Sequence, residues 1–140
     1  MKDFDFYVKK KDVRKVSIDP ALAKSLKNDS NERAKKLFSL DINNYEKIIF
    51  EGIYDCLREI ADSILVLDGY KSYSHEASIS YLSKYGFSYE FVAEFDSFRF
   101  RRNGSKYYGK KITKQDTKKI LNFYKKYKSK LIKIINRKLN

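Results

Sequence analysis

The chain has 140 residues, 42% of them hydrophobic, one cysteine, one histidine and a formal net charge of +13 at pH 7. That length and apolar share suit one domain with one core, and the cysteine and histidine counts exclude an internal disulfide framework and any zinc site built from several such ligands. No apolar run approaches the roughly 20 residues that cross a bilayer, and the opening MKDFDFYVKKKDVRK mixes both charges without a secretory h-region, so the expected location is cytoplasmic, off the membrane.

Residues 1–18 read as an N-terminal arm, loosely ordered or draped over the surface, ahead of a helical domain over residues 19–140. One proline, five glycines and no alternating strand pattern mark the chain as helical. Asp19-Pro20 pairs an N-cap with proline at the first helical position. Leu22, Leu26, Leu37 and Leu40 then fall on one stripe, across the polar middle KNDSNERAKK. A second helix is expected from about Asn44, with Ile49, Ile53, Cys56, Leu57, Ile60, Ile64 and Leu67 at the 3.6-residue period until Gly69. The apolar neighbours of Cys56 predict a small buried side chain.

After the turn GYKSY, Ser74 caps a short helix that carries Ile79 and Leu82 and stops at Gly86. Ser88 opens a fourth helix whose buried face is Phe91, Phe95 and Phe98, with Arg102 next on that stripe and Asn103-Gly104 as its stop. Thr113 and Asp116 form a capping-box variant for the last helix, with Ile120, Tyr124, Tyr127, Leu131 and Ile135 inside and lysines over the rest. About five helices joined by short turns predict an all-α, up-and-down antiparallel bundle. Twelve of the 22 Phe and Tyr lie between Tyr70 and Tyr108, most of them expected in the core and some facing a partner subunit.

The charge is uneven. Residues 97–140 carry sixteen Lys or Arg against one acid, Asp116, a balance of +15; residues 1–96 carry fifteen against seventeen, a balance of −2. A basic segment of this kind attracts polyanions, and release of counterions from phosphates makes such binding salt-dependent. Its densest part is FRFRRNGSKYYGKK, residues 98–111, where Arg99, Arg101, Arg102, Lys106, Lys110 and Lys111 are the candidate phosphate or nucleic-acid contacts. The plainer reading is a solvated lysine-rich face.

Two stretches, LREIADSILVLDGYKSYSHEA and RRNGSKYYGKKIT, resemble the HEPN superfamily, closest to its small stand-alone archaeal and bacterial members. The likeness spans residues 19–138, with the first helix matched by pattern alone. It implies an all-α bundle that forms a homodimer, with an Arg-containing motif of each protomer facing the other. In catalytic members the motif is Arg-x4-6-His, the activity is metal-independent endoribonuclease, and many act as toxins paired with a minimal nucleotidyltransferase antitoxin. Carried onto this chain, the candidate catalytic residues are Arg102 in the Arg place, Asn103 in the polar place and Tyr107 where the His stands; no cofactor or metal is implied. Tyr108 is the candidate modification site for such a partner.

A phenol, with an ordinary pKa near 10, is a poor base at neutral pH, whereas Arg102 retains its ability to clamp a phosphate. The expected function is therefore binding of RNA or nucleotide phosphate in a toxin–antitoxin or defence-type module, with ribonuclease activity weakened or lost. Two alternatives stay open: an active metal-independent endoribonuclease using Arg102 with Tyr107 or His75, and an accessory dimer that docks a nucleotidyltransferase. Each motif residue also has a structural reading. Arg102 can satisfy terminal carbonyls, Asn103-Gly104 can simply end a helix, and Tyr107 and Tyr108 can pin the following loop. His75, at the start of a helix, reads as a local hydrogen-bonding or packing residue unless the bundle or a dimer brings it beside Arg102.

Overall fold

In the computed structural model, which describes residues 1–140, the chain runs α1 (Phe4–Lys9), β1 (Val13–Lys15), α2 (Pro20–Phe38), α3 (Ile42–Leu67), β2 (Tyr70–Ser72), α4 (His75–Tyr81), a 3-10 turn (Leu82–Tyr85), α5 (Tyr89–Tyr108) and α6 (Lys114–Leu139). The protein is all-α apart from the two-stranded ribbon. Side-chain caps start the helices where the sequence places them. Asp19, Ser74 and Ser88 accept the amides of Leu22, Ala77 and Phe91 at 3.0, 3.2 and 3.1 Å. At α6, Thr113 and Asp116 exchange both capping-box bonds. Such caps are worth about 1 kcal/mol each.

The core is one cluster centred on α3, whose 3.6-residue stripe from Ile49 to Leu67 is buried along its length, Cys56 included. Burial pushes the Cys56 thiol up to about 11, so it packs as a small apolar group. Rings from α5 and α6 interlock above α3: Phe91 stacks on Phe123 at 5.1 Å between centroids, and Phe98 meets both Phe50 and Phe123 edge-on. Each such ring, fully buried, contributes about 2–3 kcal/mol.

The leucine stripe expected on α2 is only partly buried. Leu37 lies inside with Ala23, Ser30 and Ala34, Leu26 is half-buried, and Leu22 and Leu40 are exposed. Small side chains let α2 approach α3 closely. Ser63 reaches the Ala23 carbonyl at 2.9 Å, and a methyl added at Gly52 would lie 2.6 Å from a Leu37 carbon.

These contacts set α2 antiparallel to α3, and successive long helices alternate in direction as expected. The neighbouring pair α3 and α6, however, runs parallel: Thr117 bonds the Glu46 carbonyl at one end, and Lys138 pairs with Asp68 at the other. The intervening α4 and α5 carry the chain back before α6 begins.

The N-terminal arm lies over the bundle: Phe4 packs edge-on against Tyr81 and Tyr70 at 4.6 and 5.3 Å, and Tyr7 is buried beside it. Two further details depart from the sequence reading. The GYKSY segment is a strand: Tyr70, Lys71 and Ser72 pair with Lys15, Arg14 and Val13. Finally, α5 runs through Asn103-Gly104 and ends at Gly109, which adopts the left-handed conformation (φ 65°). The Gly104 carbonyl accepts the amide of Lys110 at 3.0 Å, and the Lys110 stem lies over the glycine. Gly109, with no Cβ, is the residue that terminates the helix.

Candidate functional site

Three arginines meet around one tyrosine–histidine pair. Helix α3 supplies Tyr54, Arg58 and Asp62 at steps of four, with Asp55 beside them; α5 supplies Asp96, Arg99 and Arg102 at steps of three, so each set shares one side of its helix. His75 is the first residue of α4. Tyr54 is fully buried, its ring parallel to the imidazole within 3°, and its hydroxyl lies 2.9 Å from His75 Nδ1.

The Arg102 guanidinium stands 5.4 Å from the centre of the Tyr54 ring, a cation–π contact, and its Nη2 lies 3.0 Å from Asp55. Only 12% of that side chain is exposed, and its Nε is buried with no partner. Arg58 pairs with Asp62 through Nε at 3.2 Å. Arg99 pairs with Asp96 through Nε at 2.6 Å and reaches Glu76 at 3.7 Å. Glu76 in turn accepts the Tyr7 hydroxyl at 3.2 Å, which ties α1 to the edge of the cluster.

The electrostatics fix two protonation states. Burial, and then the charges of Arg58, Arg102, Arg99 and Lys106, hold the His75 pKa down at about 4. Burial likewise pushes the Tyr54 phenol up, against the pull of the same three arginines. Both groups are neutral at pH 7. A neutral tyrosine hydroxyl both donates and accepts, so the bond suits either His75 tautomer: with the ring proton on Nε2, Tyr54 donates to Nδ1; with it on Nδ1, His75 donates to Tyr54 and Nε2 keeps a free lone pair. Asp62 is also shifted: burial raises its carboxyl, against the hydrogen bonds and charge of Arg58 and Ser78.

The residues predicted from sequence divide between the two sides of α5. Arg99 and Arg102 face α3 and α4 in the cluster. Arg101 is half-exposed, 3.5 Å from Asp116, and with Lys110, Phe100 and Gly104 it lines a separate surface cleft of about 510 Å³. Asn103 is half-buried; Lys106, Lys111, Tyr107 and Tyr108 are exposed, with the Lys106 ammonium over the Tyr107 ring. Because the helix continues, Tyr107 lies about 140° around the axis from Arg102. Within the chain, the polar ring beside Arg102 belongs to Tyr54, and the imidazole beyond it is His75.

On the outer side of α5, Tyr89, Phe100 and Tyr107 form one stripe, 75, 72 and 65% exposed, opposite the buried Phe91, Phe95 and Phe98. No three His, Cys, Asp or Glu side chains converge as a metal ion would need, and no helix is long and apolar enough to cross a membrane. Reading from sequence missed Tyr54, Asp55 and Arg58. The available signal was the charged series Asp55, Arg58, Glu59 and Asp62 inside the most apolar helix of the chain. Comparisons with protein-family models, with curated proteins and with solved structures each find no match to this chain.

Proposed function

We propose that this is a HEPN-like protein that binds RNA or nucleotide phosphate, as a homodimeric component of a toxin–antitoxin or defence-type module, with ribonuclease activity weakened or lost. The observation that carries the reading is Arg102: a guanidinium held over an aromatic ring, with a buried unpartnered Nε, beside Arg58 and Arg99. Guanidiniums of this kind suit phosphate oxygens. The exposed stripe of Tyr89, Phe100 and Tyr107, broken by the small Ala93 and Gly104, suits the matching stripe of a second copy. Weakened ribonuclease activity is supported by the lowered pKa of His75 and by the separation around the helix between Arg102 and Tyr107.

The test is binding of a labelled single-stranded RNA at about 50 and 200 mM salt, together with cleavage of the same RNA in EDTA. A footprint of several phosphates weakens binding by orders of magnitude over that range, and the RNA stays intact. Binding indifferent to salt would reject the reading. Cleavage in EDTA that disappears in Arg102→Ala would favour the second reading, an active metal-independent endoribonuclease, for which the contact of both His75 and Arg102 with Tyr54 is the supporting observation. In the accessory-dimer alternative, a minimal nucleotidyltransferase docks and Tyr108, exposed at the end of α5, is its candidate target. Co-purification of such a partner without RNA affinity would favour it.

A further inference from the structure

Each guanidinium carries five N–H donors. Within the protein, Arg58 and Arg99 hydrogen-bond through Nε alone, Arg102 meets Asp55 through one Nη, and the Arg102 Nε has no partner. A protonated His75 adds a further N–H donor. A cluster with so many unused donors, on side chains only 12–16% exposed, matches a ligand with several acceptor oxygens.

Charge decides how such a ligand enters. The cations facing His75 are Arg58, Arg99, Arg102 and Lys106. The carboxylates around them are Asp55, Asp62, Glu76 and Asp96, each already against an arginine. With His75 neutral the cluster is close to balanced, so a dianion must displace a carboxylate or bring a compensating proton. Asp55, 36% exposed, is free to swing to water. A bound dianion then cancels the positive field that, with burial, keeps the imidazole neutral.

We propose that the cluster of Arg58, Arg99 and Arg102 around Tyr54 and His75 is a site for one tetrahedral oxyanion of the phosphate type, and that the anion enters together with a proton taken up by His75. The proposal rests on the phosphate-binding reading above and adds the ligand geometry and the proton. It makes binding tighter as pH falls, and it turns His75 from a neutral ring bonded to Tyr54 into an imidazolium paired with the ligand.

His75 is the only histidine, so its imidazole gives a single resonance to follow by NMR. Sulfate is the probe, because it stays a dianion across the whole range. The His75 midpoint is measured between pH 7 and pH 3.5 in sodium sulfate and in sodium chloride of equal ionic strength. The expected result is a midpoint at least one unit higher in sulfate, and a sulfate affinity that approaches tenfold tighter per unit of pH between the two midpoints. Equal midpoints in the two salts overturn the proposal. Arg102→Lys keeps the charge but not the planar fork, and is expected to lose most of the sulfate effect while remaining folded by circular dichroism. Where acid unfolds the chain, the same linkage is read at pH 5 as a sulfate-binding heat that depends on the buffer's ionisation enthalpy. An absent buffer dependence there is equally fatal. If RNA binds with steep salt dependence while His75 ignores sulfate, this proposal falls alone and the phosphate contacts lie on the lysines of α6. If His75 answers to sulfate and RNA does not bind, the site stands and the RNA reading falls.

Discussion

The two ends of one contact network teach different lessons. At the C-terminus of α3, Asp68 accepts hydrogen bonds from Tyr81 at 2.6 Å and from Tyr85 and Lys138, so a tyrosine pair, a carboxylate and a cation close a knot that ties α3, α4 and α6 together. Burial pushes the Asp68 carboxyl up, but the bonds from Lys138, Tyr81 and Tyr85 outweigh it and hold it below its ordinary value. Halfway along the same helix, the same ingredients meet at Tyr54, Asp55 and Arg102. There the arginines keep unused donors and the histidine is held neutral against its ordinary pKa. A satisfied polar knot stabilises a fold; an unsatisfied one is where a ligand fits.

The largest expected effect sharpens this contrast from the structural side. Asp68→Ala leaves the hydroxyls of buried Tyr81 and half-buried Tyr85, and an ammonium, without their acceptor, and should cost about 3 kcal/mol in urea denaturation without altering RNA affinity per folded molecule. A loss under 1 kcal/mol would mean that the knot is not structural.

A middle-sized effect concerns pH. His75 stays neutral in the fold down to about pH 4, whereas in the unfolded chain it takes a proton below about 6.5. The unfolded state therefore binds more protons in that window, and stability is lost as pH falls through it. Other groups titrate nearby, Asp62 among them, so the readout is the difference in melting temperature between wild type and His75→Gln. The wild type should lose more than the variant from pH 6.5 toward pH 4.5. Parallel curves would mean that His75 is not held neutral.

The smallest effect is local. Tyr54→Phe removes the hydroxyl bonded to Nδ1 and should cost about 1 kcal/mol. Its sharper signature is the imidazole tautomer. Nitrogen chemical shifts should show one tautomer in the wild type and a mixture in the variant. An unchanged tautomer would mean that Tyr54 does not set it.

How much of this was legible in the sequence depended on the range of the interaction. Caps at Asp19, Ser74, Ser88 and Thr113 were readable because each acts on an amide three residues away. The faces of α3, α5 and α6 were readable because large apolar side chains mark them at a regular period. The face of α2 was only partly so, since Ala23, Ser30 and Ala34 work by being small, which a hydropathy pattern does not register. The β1–β2 ribbon and the docking of Phe4 depend on partners more than 50 residues away.

The candidate site was half legible. Arg99 and Arg102 stood out by charge, but what lies beside them comes from α3 and α4, and Gly104 reads as a helix stop only while Gly109 is ignored. His75 was conditional on the bundle bringing it beside Arg102; in the structure both residues contact Tyr54, which links them.

The central claim is that the Arg102 cluster, and not merely a basic surface, binds phosphate. Equilibrium binding of a short single-stranded RNA to wild type and to Arg102→Gln, from about 50 to 200 mM salt, tests it directly. The account predicts binding at least about tenfold weaker in the variant, with a slope of log affinity against log salt reduced by about one, in a protein that melts close to the wild-type temperature. Equal affinity and equal slope in the two proteins would contradict it.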